Sequence, residues 1–291
     1  MTGFAQALSD GPLVLDGGLA TQLEAAGADL SGALWSARLL RDDPDAVRAA
    51  HRAYLRAGAQ VVTSASYQAT LPGFARNGIG SAEAAVLLRR SVRLARDAID
   101  AEGGTGWVAG SIGPYGAMLA DGSEYRGDYG VSVRELAAFH RPRMEILAGT
   151  DVDVLALETV PDVREAEALL SVLETPAWLS YTVAGGRTRA GQSLEEAFGL
   201  VKGVDSIVAV GVNCCDPADA AAAVPVAHAA SGGKPVVVYP NSGESWDASA
   251  RRWTGPVTVD DLGFARGAAL VGGCCRVGPD RIRVIAESYR T

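Results

Sequence analysis

The chain has 291 residues, 48% of them hydrophobic and 21% charged, with 34 acidic against 26 basic side chains and a formal net charge of −8. That balance argues against a nucleic-acid partner, which needs clustered positive charge, and no apolar run approaches the roughly 18 residues that cross a bilayer. The first ten residues carry neither a basic region nor an apolar stretch, so the expectation is a cytoplasmic chain in a reducing setting.

Eight short apolar or β-branched runs follow in order: Leu13–Gly17, Val61–Ser66, Trp107–Gly113, Val154–Val160, Ala177–Val183, Ile207–Cys214, Pro235–Asn241 and Ala269–Cys275. Most are almost continuously apolar, as parallel strands covered on both faces must be. Helical patterns separate them. Asp45–Ala57 puts Val47, Ala50, Tyr54 and Ala57 on one face behind an Asp43-Pro44 start, and Glu83–Ile99, Ser132–Leu147, Asp162–Leu173 and Pro279–Tyr289 behave likewise. No linker or shift in composition interrupts the alternation. It predicts an α/β fold over residues 1–291: one (β/α)8 TIM barrel, with the active site at the C-terminal ends of the strands. No dinucleotide fingerprint follows the first strand, which weakens an open doubly wound alternative. The first three units are longer than the rest, and the Gly-, Tyr- and Asp-rich loop at 110–129 reads as functional.

The residues that end each run are unusual. Asp16–Gly18, Ser64–Gln68, Ser111–Gly116, Glu158-Thr159, Asn213–Cys215, Tyr239–Glu244 and Gly272–Cys275 would gather at one rim. The four cysteines fall in two adjacent pairs, which disfavours a disulfide framework. Strands six and eight are separated by one strand, so Cys214, Cys274 and Cys275 can share a point above the barrel if the chain turns at 274–275. Three thiolates with a fourth position open is the donor set of a catalytic zinc. Buried packing is the competing reading for any cysteine. Cys215 should point away from Cys214. Asp16 reads either as a site carboxylate or as a cap for a helix near Leu19–Ala25. Glu158 closes an apolar run, where a bound cation or a substrate ammonium explains it best. His51, His140 and His228 fall in helical stretches and read as packing or surface residues.

The segments DGGLATQLE (16–24), LWSARLL (34–40), SASYQAT (64–70), GSIGPYGAMLADGSEYRGDY (110–129), ETVP (158–161), GVNC (211–214), YPNSGE (239–244) and GGCCR (272–276) resemble the homocysteine S-methyltransferases, above all the S-methylmethionine-using branch. The resemblance implies one Zn2+ per chain on Cys214, Cys274 and Cys275, with the sulfur of L-homocysteine as fourth ligand. It implies that Asp16, Gly17 and Glu158 meet the amino-acid end of homocysteine, and that loop 110–129 and Asn241 shape the pocket. Two places depart from the family pattern: Cys215 and Val277-Gly278 stand where relatives often carry threonine. The expected reaction is attack of a zinc-activated thiolate on a methyl group of a sulfonium donor, giving methionine. Tyr67, Tyr115, Trp35 and Tyr125 are candidates to face the sulfonium. S-methylmethionine is the expected donor and S-adenosylmethionine the alternative; a thiol-rich zinc or redox sensor is the non-enzyme alternative.

Overall fold

A computed structural model of the chain describes residues 3–30, 34–247 and 252–289. Eight parallel strands form one sheet: β1 Leu13–Val14, β2 Val61–Thr63, β3 Trp107–Ile112, β4 Val154–Val160, β5 Ala177–Tyr181, β6 Ile207–Asn213, β7 Val236–Tyr239 and β8 Leu270–Val271. Each lies inside one of the runs read from the sequence. Their order around the sheet is their order in the chain, and a parallel bridge between Leu15 and Val61 joins β1 to β2, so the sheet curls into a barrel.

The strands alternate with period two between two apolar layers. Leu13, Leu15, Val61, Ala109, Val154, Ala156, Trp178, Ala209, Val237 and Leu270 fill the interior. Val14, Val62, Val108, Leu155, Leu157, Leu179, Val210, Val238 and Val271 face the surrounding helices. A seven-residue helix, Phe4–Asp10, plugs the N-terminal mouth: Phe4 and Leu8 join the interior cluster, and the Phe4 ring stands 5.8 Å from Trp107 and 6.2 Å from Trp178.

The predicted helices are present as Pro44–Ala57, Ser81–Ala101, Val133–Ala148, Val163–Leu170 and Pro279–Ser288. Asp43 caps the first through Ala46 N–H at 3.1 Å, and Ser132 and Glu135 form a capping box on the third. The fourth is shorter than its pattern at both ends, with Asp162 as its N-cap and Ser171 as its C-cap. Leu71–Arg76, Tyr115–Leu119, Leu194–Gly199 and Pro217–Ala230 are further helices that the apolar pattern did not delimit. His51 and His140 are buried and His228 is exposed, all on helices. No helix among the described residues is long and apolar enough to cross a membrane.

Candidate metal centre and substrate cavity

Five of the eight barrel strands turn from apolar to polar on the inward face near the C-terminal end. Val61 is followed two residues on by Thr63, Ala109 by Ser111, Ala156 by Glu158, Trp178 by Ser180, and Val237 by Tyr239. These groups bond one another. Ser111 Oγ donates to Glu158, Ser180 Oγ lies 2.9 Å from Asn213 Oδ1, and Trp178 Nε1 donates to Tyr239 Oη at 3.0 Å. Above this polar layer lies a cavity of about 120 Å³, whose lining includes Asp16, Glu158, Tyr125 and the three cysteines Cys214, Cys274 and Cys275.

The cysteines arrive by two backbone devices. Cys214 ends β6 with φ at +52°, a left-handed conformation that turns its side chain toward the barrel axis. Cys274 and Cys275 occupy a tight turn closed by Val277 N–H donating to Cys274 O at 3.2 Å, with Arg276 at φ +66° as its third residue. Arg276 supplies the left-handed residue of the turn, and Gly273 gives it room, since a Cβ there would stand 2.1 Å from Val277 Cγ1. Together these bends bring the three sulfurs within 4.8 Å of one another. Cys214 Sγ and Cys275 Sγ are 3.6 Å apart. That is far beyond a disulfide bond and close to the roughly 3.8 Å between sulfurs of a tetrahedral centre with ~2.3 Å metal–sulfur bonds. Cys215 takes no part; it is buried in the layer between barrel and helices. Burial and the neighbouring thiols hold the group short of full ionisation: the Cys275 thiol is drawn down by hydrogen bonds from Cys214 and Cys274, while the Cys274 thiol is pushed up in exchange. A cation at the shared point would let all three ionise.

The carboxylates come from two other strands of the rim, Asp16 from β1 beside β8 and Glu158 from β4. Asp16 does not cap the helix Leu19–Ala25, whose N-cap is Gly18 with no side-chain bond. It instead accepts from Thr63 N–H at 2.8 Å and Thr63 Oγ1 at 3.1 Å. Burial pushes its carboxyl up to about 8, against those bonds. Burial likewise pushes Glu158 up to about 7, opposed by bonds from Ser111 and Tyr239. Both groups would regain ordinary acidity beside a bound cation. A β-bulge aims Glu158: the β4–β5 register shifts between Leu157 and Val160, Thr159 takes φ +58°, and Asn213 clamps it by accepting from Thr159 N–H and donating to Thr159 Oγ1, each at 2.7 Å. Gly17 lets two loops meet, since a Cβ there would stand 2.3 Å from Val277 O; buried Tyr54 ties the same loops by donating to Gly18 O and Val277 O.

Comparison with known proteins decides the family. A sequence profile described as homocysteine S-methyltransferase matches residues 13–289. The homocysteine S-methyltransferase of Escherichia coli (strain K12) is 44% identical, over 94% of each chain, and homocysteine S-methyltransferase 4 of Zea mays is 42% identical over all of this chain and 92% of its own. The crystal structure of the E. coli homocysteine methyltransferase MmuM in its metallated form superposes with a TM-score of 0.85, at 42% identity over 97% of this chain and 99% of that one.

The chain belongs to the homocysteine S-methyltransferase family.

As a homocysteine S-methyltransferase it is an enzyme of methyl transfer to homocysteine, built on a barrel of the MmuM type. Asn241, expected at the pocket wall, is not among the cavity-lining residues. Its Oδ1 accepts from Cys275 N–H at 3.1 Å and its own N–H donates to Cys215 O at 2.9 Å, so it staples the two cysteine turns together. Among the aromatic candidates, Tyr67 and Tyr125 line the cavity, and Tyr125 Oη lies 3.2 Å from Cys214 Sγ. Tyr115 is turned away, packing on Tyr129 and Phe139 with ring centroids 5.2 and 4.9 Å distant. The side chain of Trp35 lies outside the described residues.

A buried network holds loop 110–129 in place from behind. Glu165 accepts from Tyr115 N–H at 2.6 Å, His140 Nε2 at 2.8 Å and Tyr129 Oη at 3.1 Å. Arg143 donates to Gly113 O and to His140 Nδ1, which fixes the imidazole as the neutral Nε2–H form. Burial agrees, pulling His140 down to about 4. Sequence reasoning placed Ser111, Asn213 and Tyr239 at the rim without giving them a role, and passed over Thr63 and this network. Thr63 was signalled by being the polar residue at the last inward step of its strand.

Proposed function

We propose that the chain transfers a methyl group from a sulfonium donor, S-methylmethionine in preference to S-adenosylmethionine, to L-homocysteine, with one zinc ion held by Cys214, Cys274 and Cys275. The observation that carries the reading is the convergence of three cysteine sulfurs within 4.8 Å on a cavity that also receives Asp16 and Glu158. Three sulfur donors suit zinc better than the hard cations that prefer oxygen, and the group holds no fourth protein ligand among the described residues, which leaves room for a substrate sulfur. When bound, the zinc would supply the positive charge that keeps the homocysteine sulfur as a thiolate at neutral pH.

The chain's own residues do the rest. Asp16 and Glu158 hold the homocysteine ammonium, which returns their charge and offsets the cost of burying them. Tyr125, at 3.2 Å from Cys214 Sγ, walls the space where acceptor and donor sulfurs meet and keeps water from it. In the transfer a new S–CH3 bond forms on homocysteine sulfur, and the electron pair of the breaking bond stays on the donor sulfur, which leaves as a neutral thioether. No general acid is required, in keeping with a cavity lined by no histidine. Alignment of the two sulfurs and the methyl carbon is the main contribution, worth roughly 7–11 kcal/mol when well arranged.

The donor reading is tested by methionine formation from homocysteine with S-methylmethionine and S-adenosylmethionine side by side. The expected result is a higher kcat/KM with S-methylmethionine and two methionines per turnover. Faster turnover with S-adenosylmethionine would reverse the donor assignment.

A further inference from the structure

We propose that Glu124 recognises the positive charge on the sulfur of the methyl donor, an inference that rests on the sulfonium-donor reading above. Three carboxylates line the cavity, and two are anchored: Asp16 by Thr63, and Glu158 by Ser111 and Tyr239. The third, Glu124, is not. Its Oε2 is buried with no hydrogen-bond partner among the described residues. A buried carboxylate oxygen without a partner is costly, so a ligand that supplies positive charge is the natural complement.

Among the described residues, no Lys, Arg or His lines the cavity. Of the neighbouring guanidiniums, Arg189 lies over the Tyr125 ring at 5.8 Å, and Arg126, 3.9 Å from Asp121, acts on Glu124 only as the weakest of the charges around it. Homocysteine brings a single ammonium, and Asp16 and Glu158, close enough for their charges to interact, suffice for it. Glu124 stands apart from that pair, on the loop after β3.

Its position favours the donor's sulfur over the donor's amino-acid end. Glu124 sits in the single turn Ser123–Tyr125, whose Ser123 N–H donates to Asp121 at 2.9 Å and whose last residue reaches Cys214. The turn lies so close to helix Tyr115–Leu119 that a Cβ on Gly116 would stand 2.4 Å from Glu124 N. Glu124 is therefore held beside the thiol centre, where the donor sulfur must come for in-line transfer. Burial raises its carboxyl above the ordinary range, opposed by a hydrogen bond from its own backbone N–H. A sulfonium has no N–H to donate, so charge and aromatic faces recognise it, and Glu124 with Tyr125 and Tyr67 provides both. The attraction also disappears with the reaction, because the product thioether is neutral. That favours release of product over rebinding.

Calorimetric titration of the zinc-loaded protein and of Glu124→Gln with S-methylmethionine and with methionine tests this. The two ligands share an ammonium and a carboxylate and differ in the charge on sulfur. The expected result is a Kd for S-methylmethionine weakened by roughly 30-fold or more. Methionine binding, homocysteine affinity and zinc content should be unchanged, and Glu124→Asp should restore part of the sulfonium preference. Equal weakening of both ligands would mean that Glu124 reads the amino-acid end, and an unchanged Kd would remove it from the donor site; either overturns the proposal. Failure of S-methylmethionine to bind the unmodified protein would instead overturn the donor reading itself.

Discussion

Glu158 is buried on an inward column whose lower members are Val154 and Ala156, and its surroundings push its carboxyl up to about 7. Ser111 and Tyr239 offset only part of that cost, and on the proposed reading a ligand ammonium would offset the remainder. Glu158→Gln is nearly isosteric and keeps the bond from Ser111 but removes the charge. It should weaken homocysteine binding by roughly tenfold or more while one zinc per chain is retained. Titration with homocysteine beside metal analysis checks this; an unchanged affinity would take Glu158 out of the substrate contacts. At this scale the sequence showed which side chains were unusual. Cys214, Cys274 and Cys275 stood out by pairing and place, and Glu158 by its charge in an apolar run. What it could not show was direction. Asn241 looked like a wall of the pocket and instead bonds the backbone of Cys275 and Cys215, because side-chain aim past a strand end depends on turns such as the left-handed Cys214 and Arg276.

The elements themselves were legible because apolar continuity and helical periodicity report burial, which the barrel imposes on every strand. The strand ends were read too far: β1 and β8 stop at Val14 and Val271, since the residues after them leave the ladder to form the rim. The helix Phe4–Asp10 escaped notice because two anchors, Phe4 and Leu8, make too short a pattern. Among the helices, Pro44–Ala57 carries a feature with a measurable consequence. His51 is fully buried on it, neither ring nitrogen has a partner among the described residues, and burial pulls its pKa from 6.5 to about 4. The unfolded chain takes up a proton near 6.5 that the folded chain refuses until about 4, so stability is present above 6.5 and is lost as pH falls through that window. The contribution is about 1.4 kcal/mol per pH unit, and His140, shifted the same way, adds to it. Thermal melts between pH 7 and about 4 should show His51→Leu with a shallower acid slope than the unmodified protein; an identical slope would show that His51 is protonated in the fold.

For the whole molecule, the arrangement of chemistry follows from ring closure. The Leu15–Val61 bridge brings β1 beside β2, so Asp16 meets Thr63, while β6 and β8 flank β7 and deliver their cysteines to one point. Residues from both ends of the chain thus build one cavity, with an apolar barrel interior beneath it and a buried Glu165–His140–Arg143 network bracing its longest loop. The eightfold alternation sufficed to foresee the shared rim. The network was not foreseeable, since its members lie on helices whose partners only the closed barrel defines. The most direct test of the central claim is methionine formation from homocysteine and S-methylmethionine, measured together with metal content, in zinc-loaded, chelator-stripped and zinc-restored protein. One zinc per chain, loss of activity on stripping and recovery with zinc are expected, and Cys274→Ala should lose both metal and activity while staying folded. Full activity in demonstrably metal-free protein would contradict the account.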